Sequence, residues 1–214
     1  MSEDLYAKLR DAVVSYDVDA VVKYANEVIA KGLDPLEAIE KGLAVGARII
    51  GDKFDRLEIY LAELIMAADA IKAGLDILLP AIPKGVVSRR GVVVIGTAQG
   101  DIHEIGKNIV AALLKAYGFD VYDLGVDVPP LRFIEKAEEV KADIIAISAL
   151  MTSTIIGQRD VIEYLKALGK RDKYIVMVGG GPVTREWAEE IGADGWAETA
   201  SEAVQVALTL KERR

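Results

Sequence analysis

Residues 92–107 read Val92-Val93-Val94-Ile95-Gly96-Thr97-Ala98-Gln99-Gly100-Asp101-Ile102-His103-Glu104-Ile105-Gly106-Lys107. The run 92–95 has the length and β-branched composition of a buried strand, and residues 109–114, Ile-Val-Ala-Ala-Leu-Leu, have the look of a helix. Between them lies a Gly-flanked loop carrying His103, the only histidine in 214 residues. Open α/β sheets bind ligands outside the carboxyl ends of their strands, which is where such a loop sits. Asp101, two residues earlier, can take the proton of one ring nitrogen and orient the other toward a metal. Taken by itself, an isolated Asp-x-His is more often a surface histidine making a local hydrogen bond.

Working outward from this loop, short β-rich runs recur at 92–96, 119–123, 143–148, 174–178 and 194–197. Stretches with helical spacing lie between and after them, at 105–117, 130–141, 154–168, 184–191 and 200–211. Five strands alternating with five helices predict an α/β fold, a parallel sheet covered on both faces and joined by right-handed crossovers. Periodicity alone leaves the strand order open.

The chain before this region has a different period. Ser2 can cap a helix carrying Leu5, Leu9, Ala12 and Val13, and Asp17 a second carrying Val21, Tyr24, Ala25 and Val28. Asp34-Pro35, a cap followed by proline in the first turn, opens a third helix running toward Phe54. A fourth starts near Glu58, with Leu61, Leu64, Ile65, Ala68, Ile71, Leu75 and Leu78 at three- and four-residue spacing. Short connections predict an antiparallel four-helix bundle. Pro80 and Pro83 break the pattern, so 80–91 reads as a linker between a helical domain at 1–83 and an α/β domain at 90–214.

Composition narrows the classes. There is no cysteine, which excludes disulfides and thiolate metal sites. The net charge is −8. Residues 1–83 carry 15 acidic and 9 basic side chains, and residues 84–214 carry 19 and 17. Neither part has the basic footprint of a nucleic-acid binder, and the small cluster Lys84, Arg89 and Arg90 suits a solvated linker. No apolar run is long enough for a membrane span, and the acidic start lacks the features of a signal peptide, so a cytoplasmic location is expected. Gly179-Gly180-Gly181 is not followed by the Gly-Lys-Ser/Thr of a P-loop, and Gly96-x-x-x-Gly100 lacks dinucleotide spacing.

Gly100-Asp-Ile-His-Glu-Ile-Gly106, Ser148-Ala-Leu150 and Gly179-Gly-Gly181, in that order and spacing, resemble the signature of cobalamin-binding domains. Residues 118–129 and 191–195 resemble stretches of the corrinoid proteins of bacterial and archaeal methyltransferase systems. The first 80 residues resemble the helical cap that precedes this domain there and in methionine synthase. The resemblance implies a flavodoxin-like strand order, 2-1-3-4-5, with a four-helix-bundle cap at the N-terminus.

It also implies roles. His103 would replace the cofactor's own base as the lower ligand of cobalt, with Asp101 on its other ring nitrogen and the Thr154 hydroxyl continuing the relay. The alternative for Thr154 is to cap the helix that follows it. The displaced nucleotide tail would enter a slot between sheet and helices with Gly179 and Gly180 against it, Ser148 and Thr152 would hydrogen-bond the tail, and Gly100, Gly106 and Leu150 belong to the same cofactor-binding motifs; small polar residues that simply end the strand at Ser148 are the plainer reading. Phe54, Leu61 and Leu64 match positions that lie over the reactive face, or are ordinary bundle core. Related proteins carry Gly near position 57, where this chain has Asp55-Arg56-Leu57-Glu58.

The function implied is that of a methyl carrier, holding cobalamin or a related corrinoid, methylcobalamin in its loaded form, and passing a methyl group on cobalt from a substrate-specific methyltransferase to an acceptor methyltransferase. A reductive activator is a further implied partner, and the chain is not expected to turn over alone. The other classes are a cobalamin-dependent sensor or regulator, the small subunit of a cobalamin mutase, and a cofactor-free interaction module. Sensors usually place a DNA-binding domain before the cap, mutases lack this cap, and a cofactor-free module has no use for a lone histidine on the ligand loop.

Overall fold

The computed structural model describes residues 2–82 and 90–213. The chain divides into two compact units, Met1–Pro83 and Lys84–Arg214. Most of the expected linker, and with it Lys84 and Arg89, lies outside the described residues.

The first unit is helical. It contains α1 (Ser2–Val14), α2 (Val18–Ala30), α3 (Pro35–Ala38), a π-type turn at Ile39–Leu43, α4 (Ala44–Asp55) and α5 (Leu61–Leu78). The anticipated third helix is therefore α3 and α4 joined through that π turn, in which the Ala44 N–H reaches back to Ile39 O. Asp17 and Asp34 cap as their positions suggest, accepting from the N–H groups of Ala20 and Leu36. Ser2 is the first residue of α1. The last helix starts at Leu61, three residues later than expected; the Glu63 carboxylate accepts the Tyr60 N–H at 2.7 Å and closes its first turn. Helix α1 packs on α2 and α4, and α5 on α2 and α4, around Leu5, Leu9, Val21, Val28, Leu43 and Leu78.

In the loop between α4 and α5, Leu57 has φ +59° and is 87% exposed. The loop thus adopts a left-handed turn at a position where glycine would be unstrained and leucine is not.

The second unit holds a parallel sheet of β1 (Gly91–Thr97), β2 (Phe119–Asp123), β3 (Ile144–Ser148), β4 (Ile175–Gly179) and β5 (Gly195–Trp196), in the order β2-β1-β3-β4-β5. This is the flavodoxin-like order. The central strands β1, β3 and β4 are buried nearly end to end, which is why they read as continuous Val/Ile runs; β2 and β5 form the edges and are more exposed. Helices α6 (Ile105–Ala116) and α10 (Ala200–Glu212) pack together, as do α7 (Pro130–Glu139) and α8 (Ile156–Ala167), with α9 (Arg185–Ile191) beside α8. Val92 and Val94 join Phe133, Ile134, Ile162 and Leu165 in one core cluster. Side chains alternate across a strand, so Val93 and Ile95 face the opposite layer.

The connections put the site in its place. From β1 the chain steps to β2 on one side, and from β3 to β4 on the other, so the strand order reverses between β1 and β3. Ligand crevices open at such a reversal, outside the carboxyl ends of the strands. The residues at those ends, Thr97, Ser148 and Gly179, are register partners across β1, β3 and β4.

Candidate functional site

The loop from Ala98 to Glu104 leaves β1 and enters α6. Its shape follows from three attachments and a turn. The Ala98 N–H donates to Ser148 O at 2.8 Å, extending the β1–β3 ladder by one bond. The Thr97 hydroxyl donates to His103 O at 2.9 Å and ties the far end of the loop back to β1. Gly100, at φ +83°, makes the turn. Asp101, fully buried, reaches across to the segment after β3.

Asp101 is the hub. Its Oδ1 accepts the His103 backbone N–H at 3.0 Å and lies 2.6 Å from His103 Nδ1. Its Oδ2 accepts the N–H groups of Leu150 at 2.7 Å and Met151 at 3.2 Å, and the Thr154 hydroxyl at 2.7 Å. Burial pushes this carboxyl up, but the backbone donors of His103 and Leu150, the Thr154 hydroxyl and the His103 ring outweigh it and hold the pKa at about 2. The group is therefore a carboxylate, and a carboxylate can only accept. The proton between it and the imidazole sits on Nδ1, which leaves the lone pair of a neutral ring on Nε2. His103 is 45% exposed, and no described residue bonds Nε2.

Thr154 lies just before α8, and its hydroxyl is also 2.9 Å from Met151 O. A hydroxyl has one proton to give, and the anionic oxygen is the stronger acceptor. The capping role considered for Thr154 is not the one its side chain takes. The relay Thr154–Asp101–His103 is thus present as a connected chain of hydrogen bonds.

The other residues singled out in the sequence divide. Leu150 contributes its backbone to Asp101 while its side chain is exposed, and Thr152 is exposed nearby. Ser148 ends β3, half-buried beside Gly179. A Cβ built on Gly106 would meet nothing within 4 Å, and one on Gly179 only Ala197 O at 3.9 Å, so both border open space. Gly180 differs: at φ +129° its Cβ would lie 1.8 Å from Ala149 O, so the β3 and β4 ends approach closely only because that atom is absent. Phe54 and Leu64 pack on Ile50, Ile59 and Ala67 in the helical unit, and Leu61 is exposed there.

Two contributors were missed. Gln158 is fully buried one turn after Thr154. Its amide donates to Ile147 O and Gly179 O, both at 3.0 Å, and its carbonyl accepts the Trp187 indole N–H at 3.0 Å. It therefore pins the ends of β3 and β4 together. Its signal was a polar residue sharing a helix face with Val161, Ile162 and Leu165. Asp127 accepts the Gly100 N–H at 2.7 Å; sequence carries no marker of that cross-loop bond.

Comparisons with known proteins fall in line with this geometry. The B12 binding domain family matches residues 91–205, and a second B12 binding domain family matches residues 5–79. Dimethylamine corrinoid protein 2 of Methanosarcina acetivorans is 50% identical over 209 residues, covering 97% of this chain and 96% of the relative. The structure of the Methanosarcina barkeri monomethylamine corrinoid protein superposes with a TM-score of 0.91 at 38% identity, covering 98% of this chain and 100% of that one. The methanol:cobalamin methyltransferase complex from Methanosarcina barkeri is similar with a TM-score of 0.56 at 31% identity, over 99% of this chain and 81% of the matched one. The residues present suit a corrinoid: an outward Nε2, an anionic partner on Nδ1, and side-chain-free positions at Gly106 and Gly179 bordering open space.

Proposed function

This chain belongs to the B12-binding corrinoid protein family, and from that premise we propose that it is a methyl carrier in which His103 would ligate the cobalt of the bound corrinoid. The observation that carries the reading is the 2.6 Å contact from Asp101 Oδ1 to His103 Nδ1, which presents Nε2 outward as a ligand. When bound, the corrinoid supplies the chemistry of accepting and releasing a methyl group through its cobalt, and the protein supplies orientation and ligation.

Each residue has a task. Asp101 fixes the tautomer and ring plane of His103 and strengthens its donation. Thr154 and the Leu150 and Met151 N–H groups keep Asp101 anionic. Gly179 and Gly106, with Ser148 and Thr152 nearby, border the path for the nucleotide tail. In this reading residues 90–214 hold the cofactor.

The chain works with methyltransferases, one loading the methyl group and one removing it, and a reductive activator restores the cofactor after oxidation. Methylamines are the methyl donors we assign, supported by relatives named as dimethylamine and monomethylamine corrinoid proteins. No described helix is long and apolar enough to cross a membrane, and a cytoplasmic setting fits this chemistry.

The test is binding followed by reconstitution. Apoprotein labelled with nitrogen-15 histidine and titrated with cob(II)alamin should take up one equivalent and show the two-line coupling of a labelled imidazole, in place of the three-line coupling of the cofactor's own base, in the electron paramagnetic resonance spectrum. His103→Ala should lose that coupling. After chemical reduction of the bound cofactor to the cob(I) state, the loaded protein should take a methyl group from dimethylamine, releasing monomethylamine, only when a dimethylamine-specific methyltransferase is added. Unchanged coupling in His103→Ala, or transfer with no partner present, would overturn the reading.

A further inference from the structure

The segment after β2 runs alongside the end of β1 and then the ligand loop, and is bonded to both. Leu124 N–H donates to Ile95 O at 2.8 Å, Thr97 N–H to Gly125 O at 3.0 Å, and Val128 N–H to Thr97 O at 3.0 Å. Ala98 and Val128 form an isolated parallel bridge. At the outer end of this track stands Asp127. Its backbone N–H donates to Asp101 O at 2.9 Å, while its Oδ1 accepts the Gly100 N–H at 2.7 Å. Two consecutive residues of the ligand loop are therefore gripped by one residue, once through its backbone and once through its side chain.

That grip requires an unusual conformation. Asp127 has φ +52°, in the left-handed region. Most side chains are strained there; Asp and Asn tolerate it, and glycine adopts it freely. Strain of this kind persists where the surroundings over-determine it, and it concentrates at functional sites. Here the surroundings are the loop that carries Asp101 and His103.

We propose that Asp127 is a positioning residue for cobalt ligation: by holding Gly100 and Asp101 against the segment after β2, it sets where His103 Nε2 points. The inference rests on the assignment of His103 as the ligand. It extends the support of the imidazole from one carboxylate to two. Asp101 fixes the ring, and Asp127 fixes the backbone from which Asp101 reaches.

Three substitutions separate acceptor, charge and strain. Asp127→Asn keeps tolerance of the left-handed region and an acceptor oxygen, but loses the charge. Asp127→Gly relieves the strain and loses the acceptor. Asp127→Ala loses the acceptor and keeps the strain. The readouts are the coupling of nitrogen-15-labelled histidine to bound cob(II)alamin and amide hydrogen exchange at Gly100 and Asp101 in the apoprotein.

Asp127→Gly and Asp127→Ala should lower the histidine-ligated fraction and weaken corrinoid affinity by about tenfold, as for loss of one charge-assisted bond at the low end of its range. Exchange at Gly100 should speed up in both, and Asp127→Asn should restore most of the wild-type signature. Wild-type coupling and exchange in Asp127→Gly would overturn the proposal, as would an Asp127→Asn variant no better than Asp127→Gly. If wild type itself shows no labelled-histidine coupling, the assignment of His103 fails first, and the exchange data still report whether Asp127 holds the loop.

Discussion

His103 Nδ1 lies 2.6 Å from Asp101 Oδ1, and the other oxygen of the same carboxylate is taken by two backbone N–H groups and a hydroxyl. This arrangement fixes a tautomer. With three donors on Oδ2, any neutral replacement for Asp101 that has one accepting and one donating end must turn its acceptor toward them.

Asp101→Asn should therefore invert the histidine. Its carbonyl oxygen would face Leu150, Met151 and Thr154, and its NH₂ would face Nδ1 at the loss of the His103 backbone N–H bond that Oδ1 accepts. The imidazole would then have to accept at Nδ1 and carry its proton on Nε2, where the lone pair for cobalt should be. Because the chain has one histidine, nitrogen-15 shifts of the apoprotein report this ring without ambiguity. We expect an Nδ1–H tautomer in wild type, an Nε2–H tautomer in Asp101→Asn, and about 10–100-fold weaker corrinoid binding in the variant. An unchanged tautomer would refute the orienting role of Asp101.

The same carboxylate predicts acid sensitivity. Its folded pKa of about 2 lies below the ordinary carboxylate value, so the stabilisation is present above about pH 4 and is lost as pH falls toward 2. A depression of nearly two units at a fully buried group corresponds to about 2 kcal/mol. Both tryptophans, Trp187 and Trp196, belong to the α/β unit, so their fluorescence follows unfolding of that unit in urea. Thr154→Val removes the hydroxyl while keeping the shape; it should cost about 1–2 kcal/mol near neutral pH and move the acid loss to higher pH. Thr154→Ser should follow wild type. Superimposable acid limbs for Thr154→Val and wild type would remove the hydroxyl from the relay.

Much of this was legible in sequence, for definite reasons. Central strands such as 92–95 and 144–147 are apolar on both faces, so their runs stand out against the helices between them. Asp101 and His103 stood out as an Asp-x-His on a Gly-flanked loop, and Thr154 was reached only through the resemblance to cobalamin-binding domains. What stayed hidden depends on contacts between distant segments. Gln158 looks like any polar residue on an amphipathic helix until β3 and β4 place two carbonyls against it. Asp127 looks like a turn residue until Gly100 is brought to it. The π turn at Ile39–Leu43 leaves the apolar spacing nearly intact and so reads as continuous helix.

Leu57 offers a test of local strain. Its left-handed φ costs about 1–2 kcal/mol for an L-residue, and its exposed side chain gives up little on removal. Glycine relieves the strain but makes the unfolded chain more flexible, which takes back about 0.5–1 kcal/mol. Leu57→Gly should therefore raise stability by about 0.5–1 kcal/mol in urea denaturation followed by far-ultraviolet circular dichroism. A loss of stability would mean that the Leu57 side chain makes contacts its exposure does not suggest.

The neighbours Gly179 and Gly180 separate folding from binding. A Cβ at Gly180 would strike Ala149 O at 1.8 Å, on backbone that cannot yield without disturbing the Ala149 N–H bond to Gly179 O. Leu150 and Met151, whose N–H groups hold Asp101, follow directly in the chain. Gly180→Ala should thus spread the β3 and β4 ends, release Asp101 and destabilise the α/β unit by about 3 kcal/mol or more. Gly179→Ala meets only Ala197 O at 3.9 Å, an ordinary contact, so the fold should accept it within about 1 kcal/mol. If the open space beside Gly179 is the path of the nucleotide tail, that same methyl group narrows it. Gly179→Ala should then bind cobinamide, which lacks the tail, as wild type does, while its affinity for full-length cobalamin falls. Equal affinity of Gly179→Ala and wild type for both corrinoids would place the tail elsewhere and leave Gly179 as the end of a strand.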